Sequence, residues 1–123
     1  MSERVAHFEI TADEPDRAAS FYRATFGWTV DKWEGPADYW LIGSGEGKGI
    51  DGAIMPRAHG QAVINTVQLE STVEDALARI TKAGGAAMGD IVVIPGVGRF
   101  SYAIDTEGNV FGVMEPEALG DSD

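Results

Sequence analysis

The fold is decided by Val5-Ala-His-Phe-Glu-Ile10 and by Val63-Ile-Asn-Thr-Val-Gln-Leu69, the segments that open the two halves of the chain. Apolar and polar side chains alternate in both segments, and this alternation predicts strands with one buried face. A helical pattern and then three further strand candidates follow each segment. The chain is therefore interpreted as a unit of one strand, one helix and three strands, about 55 to 60 residues long, that occurs twice.

The first helix is predicted from Glu14 to Phe26. Asp13 is placed to cap its N-terminus, and Pro15 falls in the first turn, where a missing N–H costs nothing. Gly27 ends the helix because glycine tolerates the left-handed conformation of a C-terminal cap. The helical spacing predicts a buried stripe that consists of Ala18, Phe21, Tyr22 and Thr25.

The remaining elements follow from turn signals and hydrophobic patterns. Strands are predicted in the first half at Trp28–Trp33, Tyr39–Ile42 and Ile50–Met55, and in the second half near Ala87–Ile94, Arg99–Ile104 and Asn109–Met114. The second helix is predicted over Val73–Ala83 and ends at Gly84-Gly85. These boundaries predict one α+β domain with module 1 at residues 4–56, a linker at 57–61, module 2 at 62–115 and an acidic tail at 116–123, expected to be disordered from about Ala118.

Composition limits the classes of partner. Twenty acidic residues against nine basic ones give a formal net charge of −11, which disfavours nucleic acid and anionic membranes. The chain has no cysteine, so disulfides, thiol catalysis and thiolate-bound metals are excluded. No apolar run is long enough to span a membrane, and the N-terminus shows no signal peptide. These features favour a cytoplasmic protein.

Five motifs are specific as a set, although each is weak alone: Phe21-Tyr22, Phe26-Gly27-Trp28, Gly84-Gly85, Pro95-Gly-Val-Gly98 and Asp105-Thr-Glu-Gly-Asn-Val-Phe-Gly112. Through them the chain resembles, over nearly its whole length, the vicinal-oxygen-chelate superfamily of glyoxalases, bleomycin-resistance proteins and dioxygenases. The resemblance implies two βαβββ modules whose mixed sheets curl around a cavity, often in a homodimer. Many members use the cavity to hold a divalent metal that chelates two neighbouring substrate oxygens.

The resemblance also implies four metal-ligand positions, on the first and the last strand of each module. His7 matches the first position. The other three fall on side chains that bind metals weakly or not at all, namely Gly52 or Ala53, Asn65 or Thr66, and Gly112. Because a zinc site normally needs three protein ligands, we expect neither a bound metal nor another cofactor. A cluster of Glu9, His7 and Gln68 would supply only two ligands and a weak amide.

His7 and Glu9 are the candidate catalytic residues, because a histidine beside a carboxylate can act as a general base near neutral pH. Ligand-binding side chains are expected on strands that face the cavity, where aromatic walls and a few polar groups suit a small flat molecule. The candidates are Trp40, Thr66, Gln68, Tyr102 and Gly112, the last because glycine leaves space there.

Three functions remain open from the sequence. The first is a metal-free protein that binds a small organic molecule in the cavity between its modules, in a homodimer. The second is a metal-dependent lyase, isomerase or dioxygenase that uses His7. The third is a structural or regulatory partner domain whose cavity is vestigial. The missing metal ligands favour the first function over the second.

Overall fold

This computed structural model describes residues 2–57 and 60–117. They contain eight strands and two helices. The strands are β1 (Arg4–Ala12), β2 (Thr29–Lys32), β3 (Trp40–Gly43), β4 (Asp51–Pro56), β5 (Val63–Gln68), β6 (Ala86–Ile94), β7 (Gly98–Ile104) and β8 (Val110–Pro116), and the helices are α1 (Pro15–Phe26) and α2 (Val73–Lys82). The order βαβββ occurs twice, which confirms the predicted α+β class. Within the described ranges, neither helix has the length and apolar character needed to cross a membrane.

The described chain divides into two compact units, one formed by Ala6–Ile64 and the other by residues 65–117 together with 2–5. In the first unit the strand order is β2-β3-β4-β1, with β1 and β4 parallel and the other pairs antiparallel. In the second unit the order is β6-β7-β8-β5, with β5 and β8 parallel and the other pairs antiparallel. Both units therefore pair their strands in the same pattern, as a structural repeat requires.

The ends of α1 follow from local chain chemistry. Pro15 occupies the first turn, and Gly27 closes the helix at φ 71°, both as predicted. The N-terminal cap is Glu14 and not Asp13, and it makes no side-chain capping hydrogen bond. The Asp13 carboxylate instead lies 3.3 Å from the guanidinium of Arg57. The Asp13 side chain, predicted to cap α1, therefore forms an ion pair with Arg57, which is distant in sequence.

The buried face of α1 differs in part from the predicted stripe. Ala19 is fully buried, and Ala18 and Tyr22 pack beside it. Phe21 is 57% exposed and Thr25 is exposed, so the prediction that they are buried is wrong. The small side chain of Ala19 is the one that faces the strands. The buried strand residues of this core are Ala12, Val30, Trp40, Ile42 and Ile54.

The core of the second unit agrees with the sequence pattern. The hydroxyl of Thr72 accepts a hydrogen bond from the backbone N–H of Asp75 at 3.1 Å and so caps α2. The predicted stripe of Val73, Ala76, Leu77 and Ile80 packs against Leu69 and Val113. At the chain end, β8 continues to Pro116, so the predicted tail begins too early. The tail from Ala118 onward lies outside the described residues.

Val113 is expected to be important for the stability of the second unit. It is 2% exposed, so Val113→Ala should lower the free energy of unfolding by about 1–3 kcal/mol, because buried methyl groups are lost and a cavity remains. Urea denaturation measures the change. Val93→Ala is the matched control, since Val93 is 66% exposed on β6 and should change stability by about 0.5 kcal/mol or less. Equal effects of the two substitutions would contradict this packing.

Candidate functional site

The side chains of β1 separate by strand parity. Phe8 and Ile10 pack into the core that α1 covers, whereas His7 and Glu9 lie on the opposite face of the strand. The predicted separation of these two pairs within the first unit is therefore confirmed. Glu9 is nevertheless only 4% exposed. A carboxylate buried to this extent requires a hydrogen-bonding partner.

Tyr39 supplies that partner and joins Glu9 to His7. The Tyr39 hydroxyl donates a hydrogen bond to Oε2 of Glu9 at 2.5 Å, and Nε2 of His7 lies 2.9 Å from the same hydroxyl oxygen. Because the hydroxyl proton points to Glu9, its oxygen accepts from His7, which places the imidazole hydrogen on Nε2. The Nδ1 nitrogen of neutral His7 is then the acceptor. The histidine and tyrosine rings are stacked, with centroids 6.4 Å apart.

Burial favours the neutral form of the His7 imidazole. Burial lowers the pKa of His7 below its ordinary value of 6.5, and the charges of Glu9 and Asp51 oppose that decrease. Asp51 stands opposite His7 in the register of β1 and β4. Its own pKa is lowered because Ser44 donates a backbone and a side-chain hydrogen bond to its carboxylate.

Neither Tyr39 nor Asp51 was predicted as a site residue. Asp51 opens β4, and its position opposite His7 depends on the register of two strands that are distant in sequence. Tyr39 lies just before β3 and reaches β1 across about thirty positions of chain. The only sequence signal for Tyr39 is that it is an aromatic residue at the edge of a strand.

In the second unit, three of the predicted ligand-binding residues lie together. Thr66 on β5 stands opposite Gly112 on β8, and Tyr102 on β7 stands opposite Gly112 from the other side. Gln68 lies on the same face of β5 and is exposed. This face is opposite the one that α2 covers, since Val113 packs against the helix. We refer to it as the Gly112 face.

The space beside Gly112 is not open, which differs from the prediction. A Cβ at this position would lie 2.6 Å from two ring carbons of Phe100 and 2.9 Å from Oγ1 of Thr66. A larger residue at position 112 would therefore have to push aside the Phe100 ring, whose far end lies where its Cβ would stand. Thr66 is 3% exposed, and its hydroxyl has no hydrogen-bond partner among the described residues.

Trp40 does not join either group. It is 8% exposed and belongs to the core under α1, where its indole N–H donates to the carboxylate of Asp16 at 3.1 Å. The register pairs Trp40 with Ile54, on the face opposite His7 and Glu9. The prediction that Trp40 binds ligand placed it on the wrong face of β3, and the structure assigns it to packing.

A cleft of about 250 Å³ lies in the second unit on the face that α2 covers. Its lining is mostly apolar, with Glu3 and Arg79 as the charged members: Glu3, Val67, Leu69, Ala76, Arg79, Ile80, Ala83, Phe111 and Val113. Arg79 and Glu3 form an ion pair at 3.1 Å. The cleft is thus separated from the Gly112 face by the thickness of the strands.

Comparison with known proteins identifies the family. A model of the Glyoxalase/Bleomycin resistance protein/Dioxygenase superfamily matches residues 4–113. The chain belongs to this superfamily. The resemblance that the sequence motifs indicated is therefore confirmed. The residues of both units can be compared with the metal-ligand positions of the superfamily.

Relatives of this superfamily member include CFP32 of Mycobacterium tuberculosis, whose name calls it a glyoxylase. It is 34% identical over 113 residues, which are 88% of this chain but only 42% of that relative. The chain therefore spans less than half the length of CFP32. A glyoxylase-like domain-containing protein of Didymella fabae is 30% identical over 124 residues, which cover 89% of this chain and 91% of that protein.

Solved structures share the fold of this glyoxalase-superfamily chain. Methylmalonyl-CoA epimerase of Mycobacterium tuberculosis matches with a TM-score of 0.72 at 13% identity, covering 98% of this chain and 92% of the epimerase. The Streptomyces coelicolor epimerase in complex with 2-nitronate-propionyl-CoA matches with a TM-score of 0.71 at 18% identity, covering 96% and 100%. At these identities the likeness shows the fold alone.

The four family metal positions do not fit a metal ion in this chain. Register resolves the two open alternatives, since Ala53 pairs with Glu9 and so shares the face of His7, and Thr66 pairs with Gly112. In the first unit these positions hold His7 and Ala53, and in the second unit they hold Thr66 and Gly112, so neither unit provides more than one side chain that could bind a metal. In the described parts of the chain, no three His, Asp or Glu side chains are grouped to hold a metal. The donor set is incompatible with the usual site.

His7 should titrate below an ordinary histidine and carry its proton on Nε2 when neutral. Its lowered pKa means that neutral His7 contributes stability above about pH 6.5, and this contribution is lost as the pH falls through the lowered pKa. Nitrogen-15 NMR of the imidazoles measures the pKa and the tautomer. His7→Gln should remove this pH dependence of unfolding, and His59→Gln is the control that keeps it. A neutral His7 protonated on Nδ1 would contradict the hydrogen-bond assignment.

Proposed function

We propose that this protein binds a small organic molecule without a resident metal ion. The proposed contacts are His7 and Glu9 in the first unit and Thr66, Gln68, Tyr102 and Gly112 in the second. In each unit these residues lie on the strand face that is not covered by the helix, so they are not needed to form the core. Aromatic and polar side chains together suit a flat ligand.

The observation that carries this proposal is the donor set of the family metal site. Ala53 and Gly112 have no donor atom in their side chains, and Thr66 offers a neutral hydroxyl. His7 already uses Nε2 for its hydrogen bond to Tyr39. A divalent ion would therefore meet one free imidazole nitrogen where it needs three ligands. Binding without a metal retains the fold and uses the residues that are present.

A second candidate function is metal-free proton transfer by His7, and the contacts of Tyr39 favour it. The Glu9 carboxylate, the Tyr39 hydroxyl and the His7 imidazole form a chain that orients Nδ1 as a proton acceptor. A general base of this kind could remove an acidic proton from a bound molecule and return it elsewhere, which is an isomerisation that needs no oxidant. The metal-dependent activities considered from the sequence receive no support from the donor set.

The purified protein is predicted to carry no stoichiometric divalent metal. Elemental analysis after dialysis should find less than one equivalent of zinc, nickel, iron or manganese, and a chelator should leave the melting temperature unchanged, because no ligand set stabilises a bound ion. Zinc added in excess is the control for adventitious surface binding. A tightly bound ion lost on His7→Ala would contradict the proposal.

Ligand binding is predicted to depend on Gly112. In an NMR screen of aromatic fragments, bound molecules should shift the amides of Thr66 and Gly112, and Gly112→Leu should abolish these shifts because the leucine side chain, together with the Phe100 ring that it pushes aside, would cover the contact surface. Phe111→Leu, at the neighbouring position on the opposite face, is the matched control and should leave them intact. Fragments that shift only the residues lining the cleft under α2 would contradict this assignment.

The homodimer also remains a prediction. The mass of the protein in solution tests it.

A further inference from the structure

The hydroxyl of Thr66 is an unexplained buried polar group. Thr66 is 3% exposed, and Oγ1 has no hydrogen-bond partner among the described residues, although a buried hydroxyl normally has one. A threonine here is not required by strand geometry, because valine has the same shape and no unsatisfied atom. A ligand group that hydrogen-bonds to Oγ1 of Thr66 would satisfy this hydroxyl.

The aromatic ring of Phe100 covers the same position. Its Cε1 and Cζ atoms lie 2.6 Å from the point at which a Cβ of residue 112 would stand, and Thr66 Oγ1 lies 2.9 Å from that point. Gly112 is in an ordinary strand conformation, so glycine is needed for space and not for a positive φ. The Phe100 ring thus packs directly on the backbone of Gly112. It lies next to the Thr66 hydroxyl, with which an apolar ring cannot form an ordinary hydrogen bond.

We propose that the Phe100 ring occupies the position of a ligand ring, and that an aromatic molecule bearing a hydroxyl group displaces it and hydrogen-bonds to Thr66. This inference rests on the proposed function and names the class of ligand, a phenol. The incoming ring lies on Gly112 as Phe100 does now. Its hydroxyl exchanges hydrogen bonds with Oγ1 of Thr66, which can act as donor or acceptor.

The surroundings of Phe100 permit this exchange. Phe100 is only partly buried, so its ring can rotate toward solvent without crossing the core. Tyr102 contacts the Phe100 ring edge to face at 4.7 Å and remains to receive the edge of a ligand ring in the same way. Met88 and Met114 stand opposite Tyr102 and Phe100 on the same face, and methionine side chains adapt to a new ring without strain.

The test compares phenol with toluene, which has the same shape and no hydroxyl. The amide NMR shifts of residues 66 and 112 and the methyl shift of residue 66 report binding at this position. Phenol should bind the unmodified protein more tightly than toluene. Phe100→Ala should increase phenol affinity at least about tenfold, because the competing ring is removed. Phe100→Leu is a milder variant that should act in the same direction if the alanine variant is unstable.

Thr66→Val in the Phe100→Ala protein removes the hydroxyl of residue 66 and keeps the volume that the Phe100 ring vacated. It therefore tests the hydrogen bond separately from the available volume. Valine keeps the shape, so toluene should still bind and the preference for phenol should disappear. Phe111→Ala is the matched control, since it removes the same side chain from the opposite face and should leave the shifts at Thr66 unchanged.

Two results would overturn the inference. One is phenol binding that is equal to that of toluene or indifferent to Thr66→Val. The other is a Phe100→Ala protein that is folded and binds neither probe at Gly112. Either result leaves the metal-free proposal intact, because that proposal fails only if a resident metal is found or if no organic fragment contacts these strand faces.

Discussion

Strand alternation sets the positions of both the hydrophobic cores and the candidate site residues. Successive side chains of a strand point to opposite faces, so once Phe8 and Val113 are buried under the two helices, their neighbours His7 and Gly112 must lie on the other face. The residues that pack under the helices and the candidate site residues therefore lie on opposite faces of the same strands. A shift of one residue in β1 or β8 would turn Phe8 or Val113 away from its helix and place His7 or Gly112 beneath the helix instead. The hydrophobic pairs therefore determine where the candidate site lies as well as holding the helices in place.

The two units fill the family metal positions in different ways. In the first unit His7 is retained, and its Nε2 is held by the Tyr39 hydroxyl, which in turn donates to the buried Glu9. A carboxylate buried to this degree is costly unless it is hydrogen-bonded, so Tyr39 serves both the stability of Glu9 and the orientation of His7. In the second unit Thr66 and Gly112 stand at the family ligand positions, and the Phe100 ring lies against Gly112. The first unit thus has a hydrogen-bonded imidazole at one of these positions, and the second has an aromatic ring packed over a glycine.

Similarity to solved structures at 13% and 18% identity is explained by the same constraint. What such distant chains must share is the order of strands and helices and the apolar residues beneath each helix, because these bury the surface that stabilises the fold. The residues on the uncovered strand faces contribute little to that core and are free to differ. Membership in the superfamily consequently says much about architecture and little about the molecule that is bound.

The twofold βαβββ order, most element boundaries, and the faces of β1, β5 and β8 were predictable from the sequence, because each depends on patterns within a few neighbouring residues. The pairs of distant side chains that meet were not predictable in this way and are seen in the folded chain. Tyr39 reaches Glu9, Phe100 covers Gly112, and Trp40 turns into the core to donate to Asp16. These contacts depend on strand register and on the rotation of α1 about its axis. Both are set by how complete elements pack together, a balance of many small contacts that no short stretch of sequence records.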